Sequence, residues 1–277
     1  MPASVFLVVL LGALLHAGWN AIVKSGRDKV LTTTLVAAGS GLIALPLLPF
    51  VAQPAPESWP LLGASTVLQV VYFLLVANAY RLADLSQAYP LMRGTAPVLV
   101  ALAGLLFLGE RLAPWAWLGI GCVSAGILAL ALGSRGGSRA GVMIALGNAV
   151  VIAGYTLIDG HGARLSGTPI GYALWLFLLN AVPLVGWALA TRARPFLRYA
   201  RAHPGAALTG GFGNLGSYGL ALWAMTQAPV AVVAALRETS VLFGLAIAAL
   251  VLGERVTPGR AASAGLIALG AISLRLA

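Results

Sequence analysis

The nine residues Leu106-Phe107-Leu108-Gly109-Glu110-Arg111-Leu112-Ala113-Pro114 return as Leu250-Val251-Leu252-Gly253-Glu254-Arg255-Val256-Thr257-Pro258, at an ungapped offset of 144 residues. The same offset superposes Arg93 on Arg237, Thr95 on Thr239, Gly121 on Gly265 and Gly126 on Gly270. Both copies sit in apolar runs long enough to cross a bilayer, for which about 20 residues suffice. The chain must therefore build the same lipid-embedded unit twice. Composition agrees: 60% of the residues are hydrophobic and 9% are charged, against about 25% charged in a soluble domain.

Ten candidate spans follow from run length: 3–24, 31–52, 59–80, 85–108, 114–132, 139–159, 169–190, 204–225, 229–252 and 258–275. Polar, glycine or proline signals mark nearly every break. Gln53-Pro54-Ala55-Pro56-Glu57-Ser58 reads as a loop, and Gly133-Ser134-Arg135-Gly136-Gly137-Ser138-Arg139 divides the chain almost in half. Pro114 and Pro258 suit the first turn of a helix, where a missing N–H costs nothing. The expected fold is all-α: ten transmembrane helices in two five-helix repeats, 1–133 and 139–277. Five is odd, so the repeats enter the membrane from opposite sides. Such an inverted pair places a substrate site near the midplane between the halves.

The net charge of +10 would point to nucleic acid in a soluble protein. Here the basic residues fall between apolar runs, where they set orientation. The loops after spans 1, 3, 5, 7 and 9 hold Lys24, Arg27, Lys29, Arg81, Arg135, Arg139, Arg192, Arg194, Arg198, Arg201, Arg255 and Arg260. The opposite side holds Arg111, Arg164 and Arg275. The positive-inside rule then puts both termini outside the cytoplasm, in an inner, plasma-type membrane. Val5 to Val23 is read as a span and not a cleaved signal, because its charges follow it and it exceeds a typical signal core. Cys122 is the single cysteine, so no intrachain disulfide forms. No cysteine–histidine cluster suggests a metal, and no cofactor is implied.

Polar groups at depth carry the functional reading, since a charge at the bilayer centre costs about 2.5–3.5 kcal/mol or more. Arg93 and Arg237 each lie some eight residues into a span, about 12 Å from opposite surfaces at 1.5 Å per residue. They either hold a substrate carboxylate or gate the path, or they pair internally with Glu238 or snorkel to the interface. Tyr89 precedes Arg93 by one turn and can share its face. His16, Trp19 and Asn20 form one stripe on span 1, and His16 is a candidate proton site or a satisfied hydrogen-bonding group. Asn148 and Tyr155 share a face of span 6. Span 3 offers Gln69, Tyr72, Asn78 and Tyr80, and span 8 offers Asn214, Tyr218 and Trp223. Trp59, Trp115 and Trp187 read as interfacial anchors. Pro90 and Pro97 are expected to kink span 4. The Gly-Glu-Arg turns read mainly as architecture, with a gating salt bridge as the alternative.

At the doubled Leu-Gly-Glu-Arg-x-x-Pro motif, at the Gly-rich final span of each half and at His16-Ala17-Gly18-Trp19-Asn20, the chain resembles the drug/metabolite transporter superfamily, specifically its ten-span EamA-type exporters. The resemblance covers nearly the whole chain. It implies a basket of two inverted five-helix halves around a central cavity, with spans 1, 3, 4, 6, 8 and 9 lining it and spans 5 and 10 peripheral. It also implies amino acids and related metabolites as substrates, most closely as in aromatic-amino-acid exporters. Two departures stand out. Spans 1 and 6 lack the embedded glutamate of the small four-helix multidrug members, and Asp159, at the end of span 6, is the acid present there. Cytoplasmic termini are often assigned to ten-span relatives, whereas the arginine distribution here argues otherwise.

The function expected is a secondary transporter that moves small amphoteric metabolites, amino acids first, by alternating access and in the direction of export. Hydrophobic drugs or cations are the alternative, for which two buried arginines have the wrong sign. The substrate-binding candidates are His16, Trp19, Asn20, Gln69, Tyr72, Asn78, Tyr89, Arg93, Asn148, Tyr155, Asn214, Tyr218, Arg237 and Glu238. The expected partners are a small-molecule substrate and the lipid bilayer, with no nucleic acid, in a monomer. A membrane enzyme is disfavoured. The chain has neither a Gly-x-Ser-Gly nor paired intramembrane aspartates for a protease, and no aspartate cluster for a metal-dependent transferase.

Overall fold

The structure, a computed structural model, describes residues 1–131, 138–250 and 256–277. Most of the Gly133–Arg139 loop and residues 251–255 of the second Gly-Glu-Arg copy lie outside the described residues. The helices are α1 Ala3–Ser25, α2 Lys29–Leu47, α3 Trp59–Leu82, α4 Leu85–Phe107, α5 Pro114–Ala129, α6 Arg139–Leu165, α7 Pro169–Ala202, α8 Pro204–Met225, α9 Val230–Arg237, α10 Ser240–Leu250 and α11 Pro258–Leu276. Short 3-10 turns, Leu48–Phe50 and Pro56–Ser58, flank the loop before α3. The protein is an all-helical, multi-pass membrane protein with five spans in each half, and α9 and α10 together make the ninth span.

The punctuation is local chemistry. Pro114, Pro169, Pro204 and Pro258 open their helices, where the pyrrolidine ring fits and the lost donor would have no partner. The side chains of Asp28, Ser138 and Thr168 cap the next helix by accepting from Leu31 N at 3.0 Å, Gly141 N at 3.0 Å and Gly171 N at 3.2 Å. Each satisfies one of the orphan donors that a helix start leaves.

Seven of the described helices, with α9 and α10 counted as one, are long and apolar enough to cross a membrane by themselves. Span 5 is shorter, ending at Ala129. Its expected partner at the end of the chain, α11, carries Arg260, Ser263 and Arg275. In α8, glycine, Asn214 and Ser217 dilute the hydropathy. These three helices rely on contact with protein. The glycines of α5 and α11 let the two backbones touch: a methyl at Gly119 would lie 2.9 Å from Gly270 O, and one at Gly270 would lie 2.8 Å from Gly119 O. Other large contacts run between the halves as pairs equivalent under the repeat, α3 on α6 and α1 on α8, with α2 on α7. Arg275 Nη1 donates to the Met1 carbonyl, which ties both chain ends to one face.

Span 4 is one helix, Leu85–Phe107, that runs through Pro90 and Pro97. Span 9 is interrupted, and no proline stands at the break. Glu238 N and Thr239 N bond back three residues, to Ala235 O and Leu236 O, both at 3.1 Å. The chain tightens there to 3-10 geometry, a form that inside a helix often marks a functional hinge. One expectation is corrected: the segment after residue 190 is not a loop. Helix α7 bends at Arg192 (φ −142°, ψ 36°) and continues to Ala202. Phe196 and Tyr199 pack against Leu31 and Leu35 of α2, and the Tyr199 hydroxyl meets Thr32 Oγ1 at 2.8 Å. Arg192, Arg194, Arg198 and Arg201 therefore stand exposed on a helical extension.

Candidate functional site

The interrupted turn of span 9 presents Arg237 and Glu238 to the interior from the second half, and α4 presents Arg93 from the first. Arg93 Nε donates to Glu238 Oε2 at 3.0 Å, and Nη2 lies 2.8 Å from Oε1. The residues are 7% and 5% exposed. This is a buried, two-point ion pair, and each partner satisfies a charge that would otherwise be uncompensated in lipid. The offset that equates Arg93 with Arg237 equates Glu238 with Gly94. The repeats thus contribute two arginines but one glutamate.

Arg237 consequently has a different environment. Its guanidinium carbon sits 4.6 Å from the centroid of the Tyr218 ring, a cation–π distance. It is half-buried, and among the described residues it makes no ion pair. It is close enough for its charge to act on both Glu238 and Asp159. Tyr72, Tyr89 and Tyr155 stand around Arg93 in the same sense.

Aromatic rings continue from this centre across four helices. Tyr72 of α3 meets Tyr155 of α6 edge-on at 5.9 Å, Tyr155 meets Tyr218 of α8 at 6.5 Å, and Tyr218 meets Phe177 of α7 at 6.3 Å. Such edge-to-face pairs fix ring orientation and leave faces and edges for an apolar group. On α1, His16 and Trp19 stack edge-on at 5.1 Å, and Asn20 Nδ2 bonds back to the His16 carbonyl at 2.8 Å. The Trp19 Nε1 is buried without a hydrogen bond among the described residues.

Other candidates are engaged elsewhere. Asn148, fully buried, donates to Met92 Sδ at 2.9 Å, one residue before Arg93. Asn214 donates to Ser40 Oγ at 3.1 Å and fastens α8 to α2. Asn78 bonds the Leu74 carbonyl on its own helix and is exposed. Gln69 belongs to a second polar centre, around Asp159. That carboxylate is fully buried and accepts from the hydroxyls of Tyr218 at 2.7 Å and Tyr172 at 3.1 Å, and from Gln69 Nε2 at 3.4 Å. Asn180 Nδ2 donates in turn to Gln69 Oε1 at 2.8 Å. Asp159 was not among the expected site residues, although its position in a membrane-length run was an available signal. Of its partners, Gln69 and Tyr218 were expected in the site; Tyr172 and Asn180 of α7 were not.

The first Gly-Glu-Arg turn is more than a helix end. Gly109 has φ +63°, a conformation that favours glycine, and the reversal sends Glu110 across to the other half. Glu110 Oε1 accepts from Val230 N at 2.9 Å, and Oε2 from Ala231 N at 3.5 Å, so the carboxylate caps the start of α9. Anions are stabilised at that position by the free N–H groups and the helix dipole. Arg164 of α6 joins it: Nη2 bonds Glu110 Oε1 at 2.9 Å, and the same side chain donates to the carbonyls of Met225 and Ala228. On this face, turn 108–113, α6, α8 and α9 are sewn together. Among the described residues, no group of three or more histidine, cysteine or acidic side chains could hold a metal.

Comparison with known proteins agrees with this architecture. The model of the EamA-like transporter family matches residues 3–132 and again 139–276. A solved structure titled "Crystal structure of protein" superposes with a TM-score of 0.77 at 19% identity, covering 100% of this chain and 98% of that one; at that identity the likeness is one of fold. A search of curated proteins finds no match. The duplicated match, spanning both five-helix halves, assigns the chain to the EamA-like transporter family.

Proposed function

We propose that this member of the family carries small amphoteric metabolites, amino acids first, across the inner membrane, exporting them by alternating access as a monomer with both termini outside the cytoplasm. The observation that carries the reading is the unequal pairing of the two arginines. Glu238 neutralises Arg93, and Arg237 is left half-buried against a tyrosine ring with no carboxylate of the described residues to pair with. A substrate carboxylate supplies that partner. Trp19, Tyr72, Tyr155 and Tyr218 hold the apolar part. The Glu110–Arg164 cluster closes the face opposite the basic segments, and rocking of the halves opens it.

The test is flux in proteoliposomes against a panel of amino acids, with cationic and neutral solutes as competitors. Arg237→Ala removes a charge-assisted contact worth about 1.5–3 kcal/mol, so transport falls on the order of 10- to 100-fold with an unchanged melting temperature. Normal flux in that variant, or competition by cations but not by zwitterions, sinks the reading.

A further inference from the structure

Asp159 is a carboxylate inside a membrane span, fully buried, with no cation at ion-pair distance among the described residues. Intramembrane acids of this kind are functional by default, because an unpaired one is expensive to keep. Three neighbouring helices contribute polar groups to its surroundings. From α3 come Ser65 and Gln69, from α7 Tyr172 and, through Gln69, Asn180, and from α8 Tyr218. The titratable or charged neighbours are Tyr172, Tyr218, Tyr155 one turn back on α6, and Arg237 of α9. Glu57, on the 3-10 turn beside α6, and His161, two residues on, are exposed.

This shell accommodates either protonation state. With the carboxylate ionised, both phenols and Gln69 Nε2 donate to it. When a proton adds, one O–H bond forms on the carboxylate and the new hydroxyl needs an acceptor. The Gln69–Asn180 pair provides one. Exchanging O for N on both amides keeps the bond between them and turns Gln69 from a donor toward Asp159 into an acceptor from it. Phenol oxygens can also accept.

The link to the central site is one ring. Tyr218 gives its hydroxyl to Asp159 and its face to Arg237. Formal charges on Arg93, Arg237, Glu238 and Asp159 sum to zero. A proton on Asp159 leaves +1 on these four groups, so in a medium of low dielectric Arg237 attracts a substrate carboxylate more strongly. We propose that Asp159 is a proton-binding site and that its proton raises the affinity of Arg237 for a substrate carboxylate; the second half of this rests on the carrier reading above.

The experiment uses the full-length protein in liposomes. Infrared difference spectra between acidic and neutral buffer, recorded without substrate, are expected to show a carboxylic-acid carbonyl band in the wild type that is lost in Asp159→Asn. A band that persists in Asp159→Asn, or never titrates in the wild type, overturns the proton site whatever the flux. Tyr218→Phe keeps the ring under Arg237 and deletes one hydrogen bond to the carboxylate, so the band's midpoint moves; an unmoved midpoint also overturns the site. In transport, the wild-type KM for amino acids is expected to fall as the pH drops, and Asp159→Asn to lose that dependence. A KM in Asp159→Asn that varies with pH as in the wild type overturns the coupling. Absence of any amino-acid flux in the wild type, with the band intact, overturns the carrier reading and the coupling with it, and leaves the proton site standing.

Discussion

Arg93 and Glu238 lie 145 residues apart in the chain and meet through two contacts, Nε to Oε2 at 3.0 Å and Nη2 to Oε1 at 2.8 Å. Each half of the protein therefore holds one charge of a single buried pair, so the pair stitches the repeats together at the level of the proposed site.

Breaking that pair from one side leaves a bare charge. Arg93→Ala should lower stability by about 3–5 kcal/mol, the usual cost of stranding a buried ionic partner. Arg93→Met combined with Glu238→Leu should recover most of the loss. Thermal melts in detergent read the difference, and equal melting temperatures for Arg93→Ala and wild type would refute the assignment.

Glu110 closes one face by capping α9. Glu110→Gln keeps the shape and removes the charge that Arg164 and the α9 N-terminus share, a loss of about 1 kcal/mol. In a Cys122→Ser background, a thiol reporter at Ala228 should react faster with a membrane-impermeant maleimide when Glu110 is Gln. An unchanged rate would show that the cluster does not control access.

The α5–α11 contact depends on missing side chains. Gly119→Ala should destabilise by about 1–3 kcal/mol through overpacking, because its methyl would meet Gly270 O at 2.9 Å and Leu274 Cγ closer still. Gly121→Ala, two residues on, meets nothing within 4 Å and should be neutral or mildly stabilising. Loss of stability in both variants would point to helix α5 itself and not to the interface.

Orientation is checked by reporters at the C-terminus. With the basic segments in the cytoplasm, an alkaline phosphatase fusion there should be active and a fluorescent protein dark. The opposite pattern would reverse the assignment of faces.

Much of the architecture is legible in the residues. Run length and opening prolines give α8 its limits, Pro204–Met225, as the apolar pattern expects, because lipid leaves a backbone few alternatives to a helix. The depth of both arginines also follows from counting. What counting cannot give is partnership. That Glu238 serves Arg93 and not its neighbour Arg237 depends on how two distant helices cross. The residues after 190 look like a loop because their hydropathy falls, yet Phe196 and Tyr199, three apart, find α2 to lean on. Asp159 looked incidental for the same reason: its donors come from three other helices. The turn at Glu238 had no proline or glycine to announce it.

Helix α9 is eight residues long, about 12 Å at 1.5 Å per residue, and every residue from Val230 to Leu236 is buried. One acid grips it at the rim, Glu110, and the residue directly after it, Glu238, is gripped in the interior by Arg93. A short stiff rod clamped at both ends transmits displacement with little loss. Slack at the surface turn must therefore be felt at the guanidinium, and a pull on the guanidinium must tug at the rim.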